Sequence, residues 1–417
     1  MHVAVVDPDV SYPPTSGKRL RTLNLMLKLA DRHRITYLAR AGEVNNDTQA
    51  AEAFLKQHGI RPVIVHDPLP TRRGLRFYGR LLGNLGAKCP YSVAVHQSPK
   101  LEEAILRCAA ESPVDVWQFE WSSYLMRLAG RLPGPKVLMA HNVDSLIWQR
   151  YYEVETNPLR KWYIGRQWAK FRQFERTAFQ QATRVVAVSD NDARLMQSEF
   201  GAHHVDVVDN GVDCDFFGQH TSQRHPRQIL FLGALDWRPN QDGLRFLLDD
   251  IWPLIVPRLP DARLTIVGRQ PPEWLLDRVQ SDARVTLHAN VADVRPYLAS
   301  SALMVVPLRI GGGSRLKILE ALASGLPVVS TRVGAEGLAI EPGQHWSEGN
   351  SASEFADAVI QGLQDPVSLQ AQASAGREIV RRQYDWGTLA DRLDAIWKNC
   401  ATQAPSLSAE PAGRNAT

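Results

Sequence analysis

The sequence predicts an α/β protein of two doubly wound domains, each a parallel β-sheet covered by helices on both faces. Three observations predict it. Short β-branched runs alternate with stretches of helical period over most of the chain. Those runs are almost continuously apolar, as strands buried on both faces must be. A polar stretch without periodicity, residues 220–227, interrupts the alternation midway, and 417 residues suffice for two domains.

In chain order, the strands of the first half are His2–Asp7, Arg34–Ala39, Arg61–His66, Asp115–Glu120, Lys136–Ala140, Arg184–Val188 and Val205–Val208. Those of the second half are Gln228–Leu232, Arg263–Val267, Arg284–Leu287, Ala302–Val306 and Leu326–Ser330. Gly17–Asp31 and Gly243–Pro257 are examples of the intervening helical patterns. The expected domains are residues 1–218 and 226–384, both Rossmann-like. The tail 402–417 is rich in Ala, Ser and Pro and has the composition of a segment that builds no core. Two such halves imply a cleft, with ligands at the C-terminal strand edges.

Composition excludes several functions. Lys+Arg 48 against Asp+Glu 44 leaves +4, too balanced for a charge-driven nucleic-acid binder, and no nucleic-acid partner is expected. No stretch approaches the roughly 18 apolar residues of a membrane span. The N-terminal MHVAVVDPDV lacks the basic and apolar regions of a signal peptide. Cys89, Cys108, Cys214 and Cys400 have no metal-ligand spacing and are expected as free thiols in the cytoplasm. Asp7-Pro8-Asp9 and Asp213-Cys214-Asp215 look like metal motifs, but turn chemistry explains them better. No metal is expected. No GxSxG and no GxxxxGK[ST] occurs, so a nucleophile elbow and a P-loop are absent.

The strongest chemical signal is the segment from Val306 to Val329. Gly311, Gly312, Gly313 and Ser314 follow a strand and precede a helix, so backbone N–H groups there can approach an anion closely. Arg315 and Lys317 are expected in the first turns of that helix, where they can bond phosphate oxygens. Lys317 and Glu320 are three apart and share a face, with Leu316, Leu319, Leu322 and Ala323 supplying the buried one. The Glu320 carboxylate suits the vicinal hydroxyls of a ribose. The alternative is an ordinary Lys–Glu pair on a core helix; the glycine turn and two cations favour a nucleoside-diphosphate site.

Three weaker signals lie in the first half. Gly17, in Pro13–Arg19, opens a helix after the first strand and could offer a backbone N–H to a ligand. His141 ends a strand, and Glu120 ends the strand before it, so both stand at one sheet edge. Arg72, Arg76 and Arg80 form a cationic stripe if helical, with Leu75, Tyr78 and Leu82 nearer the other side; that pattern suits either an anionic membrane surface or a core helix with a basic outer face. Residues 160–172 mix basic and aromatic side chains at the spacing of a long packed helix.

Taken together, these residues resemble the retaining, nucleotide-sugar-dependent glycosyltransferases of family 4, which have the GT-B fold. The resemblance rests on Pro13–Arg19, Ala140–Ser145, Val188-Ser189, Asn210-Gly211-Val212-Asp213, Phe231-Leu232-Gly233, Ile266-Val267-Gly268 and above all Gly311–Val329. It covers about residues 1–398 and is nearest to the sugar transferases of bacterial exopolysaccharide clusters. It implies that Glu320 is the second Glu of the Glu-x7-Glu motif and holds the donor ribose. His141 corresponds to the cleft histidine near the transferred sugar, Gly17 to the loop glycine near the diphosphate, and Arg315 and Lys317 to the cations of that turn. Asn210 and Gly233 fall in donor-side motifs. Residues 385–400 are expected as a helix crossing back to the N-terminal domain. There are two departures: Gly312 stands where many relatives have the first Glu, and Ala234 stands where many have Arg, which makes Arg238 a candidate for phosphate neutralisation.

What this implies is transfer of a sugar from a nucleoside diphosphate to an acceptor hydroxyl of a glycan or lipid-linked intermediate. The transfer is expected to be retaining, metal-independent and without a cofactor, at the inner face of the cytoplasmic membrane. His141, Glu320, Lys317 and Arg315 would carry the chemistry. A phosphorylase of the same fold and a non-catalytic sugar-nucleotide-binding partner are the alternatives.

Overall fold

The computed structural model describes the chain except residues 43–45, 72, 220–222, 311–314 and 404–417. It divides into two compact units: Met1–Asp209 together with the chain from Ala390, and Asn210–Leu389. Gly311, Gly312, Gly313, Ser314 and Arg72, for which the sequence raised expectations, and the tail beyond residue 403 lie outside the described residues.

The strands of the first unit are β1 His2–Asp7, β2 Arg34–Ala41, β3 Arg61–His66, β4 Val116–Phe119, β5 Lys136–Met139, β6 Arg184–Ala187 and β7 Val205–Val207. They pair in parallel in the order β3-β2-β1-β4-β5-β6-β7. All of β1 and β4 is buried. One sheet face, with Ala4, Val6, Trp117, Phe119 and Leu138, packs on Leu101, Ile105, Leu125 and Phe179 from the helices Pro99–Glu111, Ser122–Leu128 and Pro158–Gln181. Neither face of the central strands is left for polar alternation.

The second unit holds β8 Gln228–Leu232, β9 Arg263–Gly268, β10 Val285–Ala289, β11 Leu303–Val306, β12 Val328–Ser330 and β13 Ser347–Glu348, again all parallel, in the order β10-β9-β8-β11-β12-β13. The two sheets make a GT-B fold. In each, strand order reverses once, between β1 and β4 and between β8 and β11. Chains leaving the sheet at such a point go to opposite faces and leave a crevice at the C-terminal strand ends.

Two sequence expectations shift. Strand β12 starts at Val328, because the Leu326 N–H is spent on the carbonyl of Ala321 where Gly325 (φ 70°) closes the preceding helix. The units part between Asp209 and Asn210 instead of across residues 218–226. Asn210–Asp213 belongs to the second unit because Val212 N–H donates to Tyr384 O at 2.9 Å and Gly211 lies against Leu389, Trp386 and Tyr384.

The helix Trp386–Gln403 joins the first unit from Ala390 onward. Its Trp397 Nε1–H donates to Gln118 Oε1 at 2.8 Å, and Asp394 lies 2.8 Å from the buried His33 Nε2. Two-residue β13 was not legible, since it carries no apolar run.

Candidate functional site

In the second unit, β8 ends at Leu232, just before Gly233, and β11 pairs beside it, so the segment after β11 starts at the switch point. The helix Leu316–Ala323 follows. It buries Ile318, Leu319, Ala321, Leu322 and Ala323, while Leu316 is only partly buried against that core. Lys317 and Glu320 are left together on the other side. Lys317 Nζ donates to Asn240 Oδ1 at 2.8 Å, and Asn240 Nδ2 donates to Ala234 O at 2.8 Å. A Cβ on Gly233 would stand 2.7 Å from Asn240 Nδ2 and 2.8 Å from Lys317 Nζ, so a side chain there would displace both groups.

Burial pushes the Lys317 amine down to about 7, with Arg315 repelling it and Glu320 opposing the shift. Burial also pushes the Glu320 carboxyl up to about 7, against the pull of Lys317. Desolvation outweighs the attraction within the pair, so both groups change charge near neutrality. Among the described residues, the Glu320 carboxylate has no hydrogen-bond donor.

Arg315 does not lie in the first turn of that helix. It precedes it, in a left-handed conformation (φ 51°, ψ 16°) that a right-handed helix cannot include. Its guanidinium, 6% exposed, donates to Glu336 Oε2 at 3.3 Å and to Glu336 O at 3.4 Å. Arg238 is exposed and begins the helix Arg238–Arg245; Asn240, not Arg238, reaches Lys317. Asn210 is half-buried, and Asp213 caps Cys214–Gly218 by accepting from Phe216 N–H, a turn role as expected.

In the first unit the switch point gathers a denser network. His141 Nε2 lies 2.8 Å from Glu120 Oε2, and Arg21 Nη1 lies 3.3 Å from His141 Nδ1. A guanidinium can only donate, so Nδ1 accepts and Nε2–H donates to the carboxylate, which makes the imidazole neutral. Burial keeps the His141 pKa low in spite of Glu120. Glu120 also accepts from Thr22 Oγ1 at 2.5 Å and Gln118 Nε2 at 2.6 Å. Burial alone would raise its carboxyl, but the hydrogen bond from the His141 N–H, with the charge of Lys18 and the bond from Thr22, outweighs burial and holds it at about 2.

Arg21 is fully buried, donates to Val208 O at 2.6 Å, and is pushed down to about 10 by burial against Glu120 and Asp209. Gly17 opens the helix Gly17–Leu29, capped by Ser16. Lys18 pairs with the buried Asp7, which also accepts from Tyr37 and Ser11 at 2.8 Å, and Arg19 pairs with Asp9 at 2.6 Å. Gly17, Glu120 and His141 are thus brought to one edge. Both ring nitrogens of His141 already have protein partners.

Sequence reasoning missed Arg21, Thr22 and Asn240. The signal for the first two was a charge and a hydroxyl between Leu20 and Leu23, on a helix that must bury a face against the sheet. Asn240 had no comparable signal.

Outside the strand ends, the helix Leu75–Leu85 turns its apolar side outward. Leu75 is 91% exposed, Tyr78 62% and Leu82 68%, while Arg80 turns inward and buries its Nε. A core-packing helix with a basic outer face is therefore not what forms. Residues 160–172 lie, as expected, in a long helix, Pro158–Gln181, buried through Gln167, Phe171 and Glu175. Among the described residues, no helix is long and apolar enough to cross a membrane, and no cluster of three or more His, Cys, Asp or Glu could hold a metal ion.

Comparison with known proteins follows the same division. Residues 16–216 match the Glycosyltransferase Family 4 model, and residues 226–365 match the Glycosyl transferases group 1 model, so the chain carries two glycosyltransferase domains. The phosphatidyl-myo-inositol mannosyltransferase of Mycobacterium tuberculosis is 29% identical over 229 residues, 52% of this chain and 59% of that one. The chain thus spans about three fifths of that relative's length. Among solved structures, Anabaena HepE in complex with UDP has a TM-score of 0.63 at 17% identity, covering 96% of this chain and 100% of that one. Sucrose-phosphate synthase from Thermosynechococcus elongatus has a TM-score of 0.65 at 17% identity, covering 96% and 98%.

Proposed function

We propose that the chain is a retaining glycosyltransferase that moves a sugar from a nucleoside-diphosphate donor to an acceptor hydroxyl without a metal. One observation carries the reading: Lys317 stands over Gly233, held by Asn240, with the open Glu320 carboxylate beside it at the switch point of the second unit. The ammonium suits a diphosphate, and the carboxylate suits a pair of ribose hydroxyls. Binding of a diphosphate raises the Lys317 pKa and fixes its charge, so charge stabilisation meets the leaving group where it develops.

In the first unit, His141 is a neutral imidazole locked between Arg21 and Glu120. Its C–H edge and the Gly17 helix start would bound the sugar, and it acts as a positioning group, not a base. Front-face attack, with the departing phosphate oxygen accepting the acceptor proton, needs no strong protein base. The acceptor is a glycan or lipid-linked intermediate in surface-polysaccharide synthesis. The outward Leu75, Tyr78 and Leu82, flanked by Arg73 and Arg76, support contact with the inner face of an anionic membrane. The relative named for phosphatidyl-myo-inositol is consistent with a lipid acceptor.

The test is a thermal-shift panel of UDP-, GDP- and ADP-sugars, followed by transfer to membrane extracts. A donor that stabilises the wild type but not Glu320→Gln, and that is consumed with acceptor, is the expected result. If no nucleoside diphosphate stabilises the protein, the reading fails. Gly312 in place of the first Glu favours one rival, a donor-binding partner without turnover; binding without transfer would select it.

A further inference from the structure

The first unit contains a cavity of about 510 Å³ that the donor chemistry does not use. It lies at the C-terminal ends of β2 and β3 and is lined by Arg40, Asp67, Arg80, Tyr91 and Gln97 with Pro68, Pro70 and Pro99 as rigid walls. Its volume is in the range of small-molecule sites.

The charges are unusual. Arg40 is only 5% exposed, yet among the described residues it has no ion pair. Its Nη1 donates to His96 O at 3.2 Å, a carbonyl that also accepts from Tyr124 OH at 2.9 Å. Arg80 enters from the helix Leu75–Leu85, donates to Thr71 O, and buries its Nε without an acceptor. A buried guanidinium without a counter-charge is costly, and Arg40 is one; the partly exposed Arg80 puts a second guanidinium, with its five N–H donors, on the lining of the same cavity. Asp67 lies on the same wall and is not ion-paired to either arginine. It repels an anion placed against it but accepts from a hydroxyl.

We infer that this cavity binds an oxyanion carried by a sugar or polyol, a phosphate ester or a carboxylate, with Arg40 and Arg80 on the anion and Asp67 on a hydroxyl. Such a compound is the head of the acceptor, and the inference rests on the transferase reading above. The site makes Arg40 and Arg80 determinants of acceptor choice, independent of the donor residues in the second unit.

The test uses the full chain. Glycerol 3-phosphate and glucuronate are titrated calorimetrically, and sedimentation with phosphatidylglycerol or phosphatidylcholine vesicles covers a lipid-borne head. The variants are Arg40→Gln, Arg40→Lys, Arg80→Gln and, as an exposed control away from the cavity, Arg131→Gln. Support is binding of a soluble anion that weakens roughly tenfold or more in Arg40→Gln and Arg80→Gln, less in Arg40→Lys, and not in Arg131→Gln. Binding only to phosphatidylglycerol vesicles, with the same variant pattern, also supports it and identifies the source as lipid.

The inference is overturned if the wild type binds none of these, or if Arg40→Gln and Arg80→Gln bind as it does. Stabilisation by UDP or GDP is read in parallel and should be equal in all variants. Its presence in the wild type separates failure of this site from failure of the donor reading.

Discussion

Replacing Lys317 by Met removes a buried ammonium with little change in volume. The amine falls from its usual 10.5 to about 7, a preference for the neutral form of about 5 kcal/mol. That cost is carried by the folded wild type wherever Lys317 is charged. Between about pH 7 and 10.5 the unfolded chain binds the extra proton, so wild-type stability rises with pH across that window. The Met variant lacks this rise. Against the gain stand the lost bond to Asn240, 2.8 Å long and worth about 1 kcal/mol, and the lost pull on Glu320. The variant should therefore be more stable by about 2–4 kcal/mol near pH 6, with the advantage fading towards about pH 10. Affinity for the donor nucleotide should fall roughly tenfold to a hundredfold. Urea midpoints at several pH values and titration with UDP and GDP read both. A variant less stable than wild type near pH 6, or one that binds nucleotide equally well, would refute the argument.

Glu120→Gln leaves the buried Arg21 without its nearest counter-charge and should cost about 3–5 kcal/mol in urea unfolding; in the wild type, the Glu120 contribution is present above about pH 4.5 and disappears as pH falls towards 2. Glu175 accepts from the N–H groups of Asp144 and Ser145 at 2.5 and 3.1 Å, and burial with Asp144 raises it to about 8. Stability should then fall as pH rises from about 4.5 to 8, and Glu175→Gln should flatten that slope in pH-resolved melts. Gly211→Ala puts a Cβ 2.6 Å from Leu389 Cδ1 and 2.8 Å from the Tyr384 carbonyl, and should lower the melting temperature by the equivalent of about 1–3 kcal/mol. Replacing Leu75, Tyr78 and Leu82 together by Ser should leave stability nearly unchanged, since all three are exposed, but abolish sedimentation with phosphatidylglycerol vesicles.

Much of the fold was legible because parallel sheets write themselves plainly. A strand buried on both faces cannot carry a polar alternation, so His2–Asp7 and Gln228–Leu232 stood out with the bounds the structure has, and the half-buried edge strand Arg61–His66 did so through its Val63-Ile64-Val65 run. Lys317 and Glu320 were legible through helical spacing. Arg315 was not, because whether a residue caps a helix or starts it is decided by one dihedral angle, and its partner Glu336 is 21 positions away. The same distance problem hid Arg21 and Asn240, whose roles depend on partners brought in by other elements. For Leu75–Leu85, the period was visible but the polarity of its faces was not: periodicity says which residues share a side, and only the tertiary context says which side meets solvent.

The first unit is discontinuous in the chain. Its last contributions, Arg392, Asp394 and Trp397, reach Asp209, His33 and Gln118 only after the whole second unit has been written. On the ribosome, residues 1–209 must therefore wait, with the sockets for these side chains unfilled, while some 180 further residues are made. Gln118 is also a donor to Glu120. Gln118, which Trp397 steadies, is thus two hydrogen bonds from His141, through Glu120, so the His141 edge of the first unit becomes fully set only once the helix Trp386–Gln403 has been made.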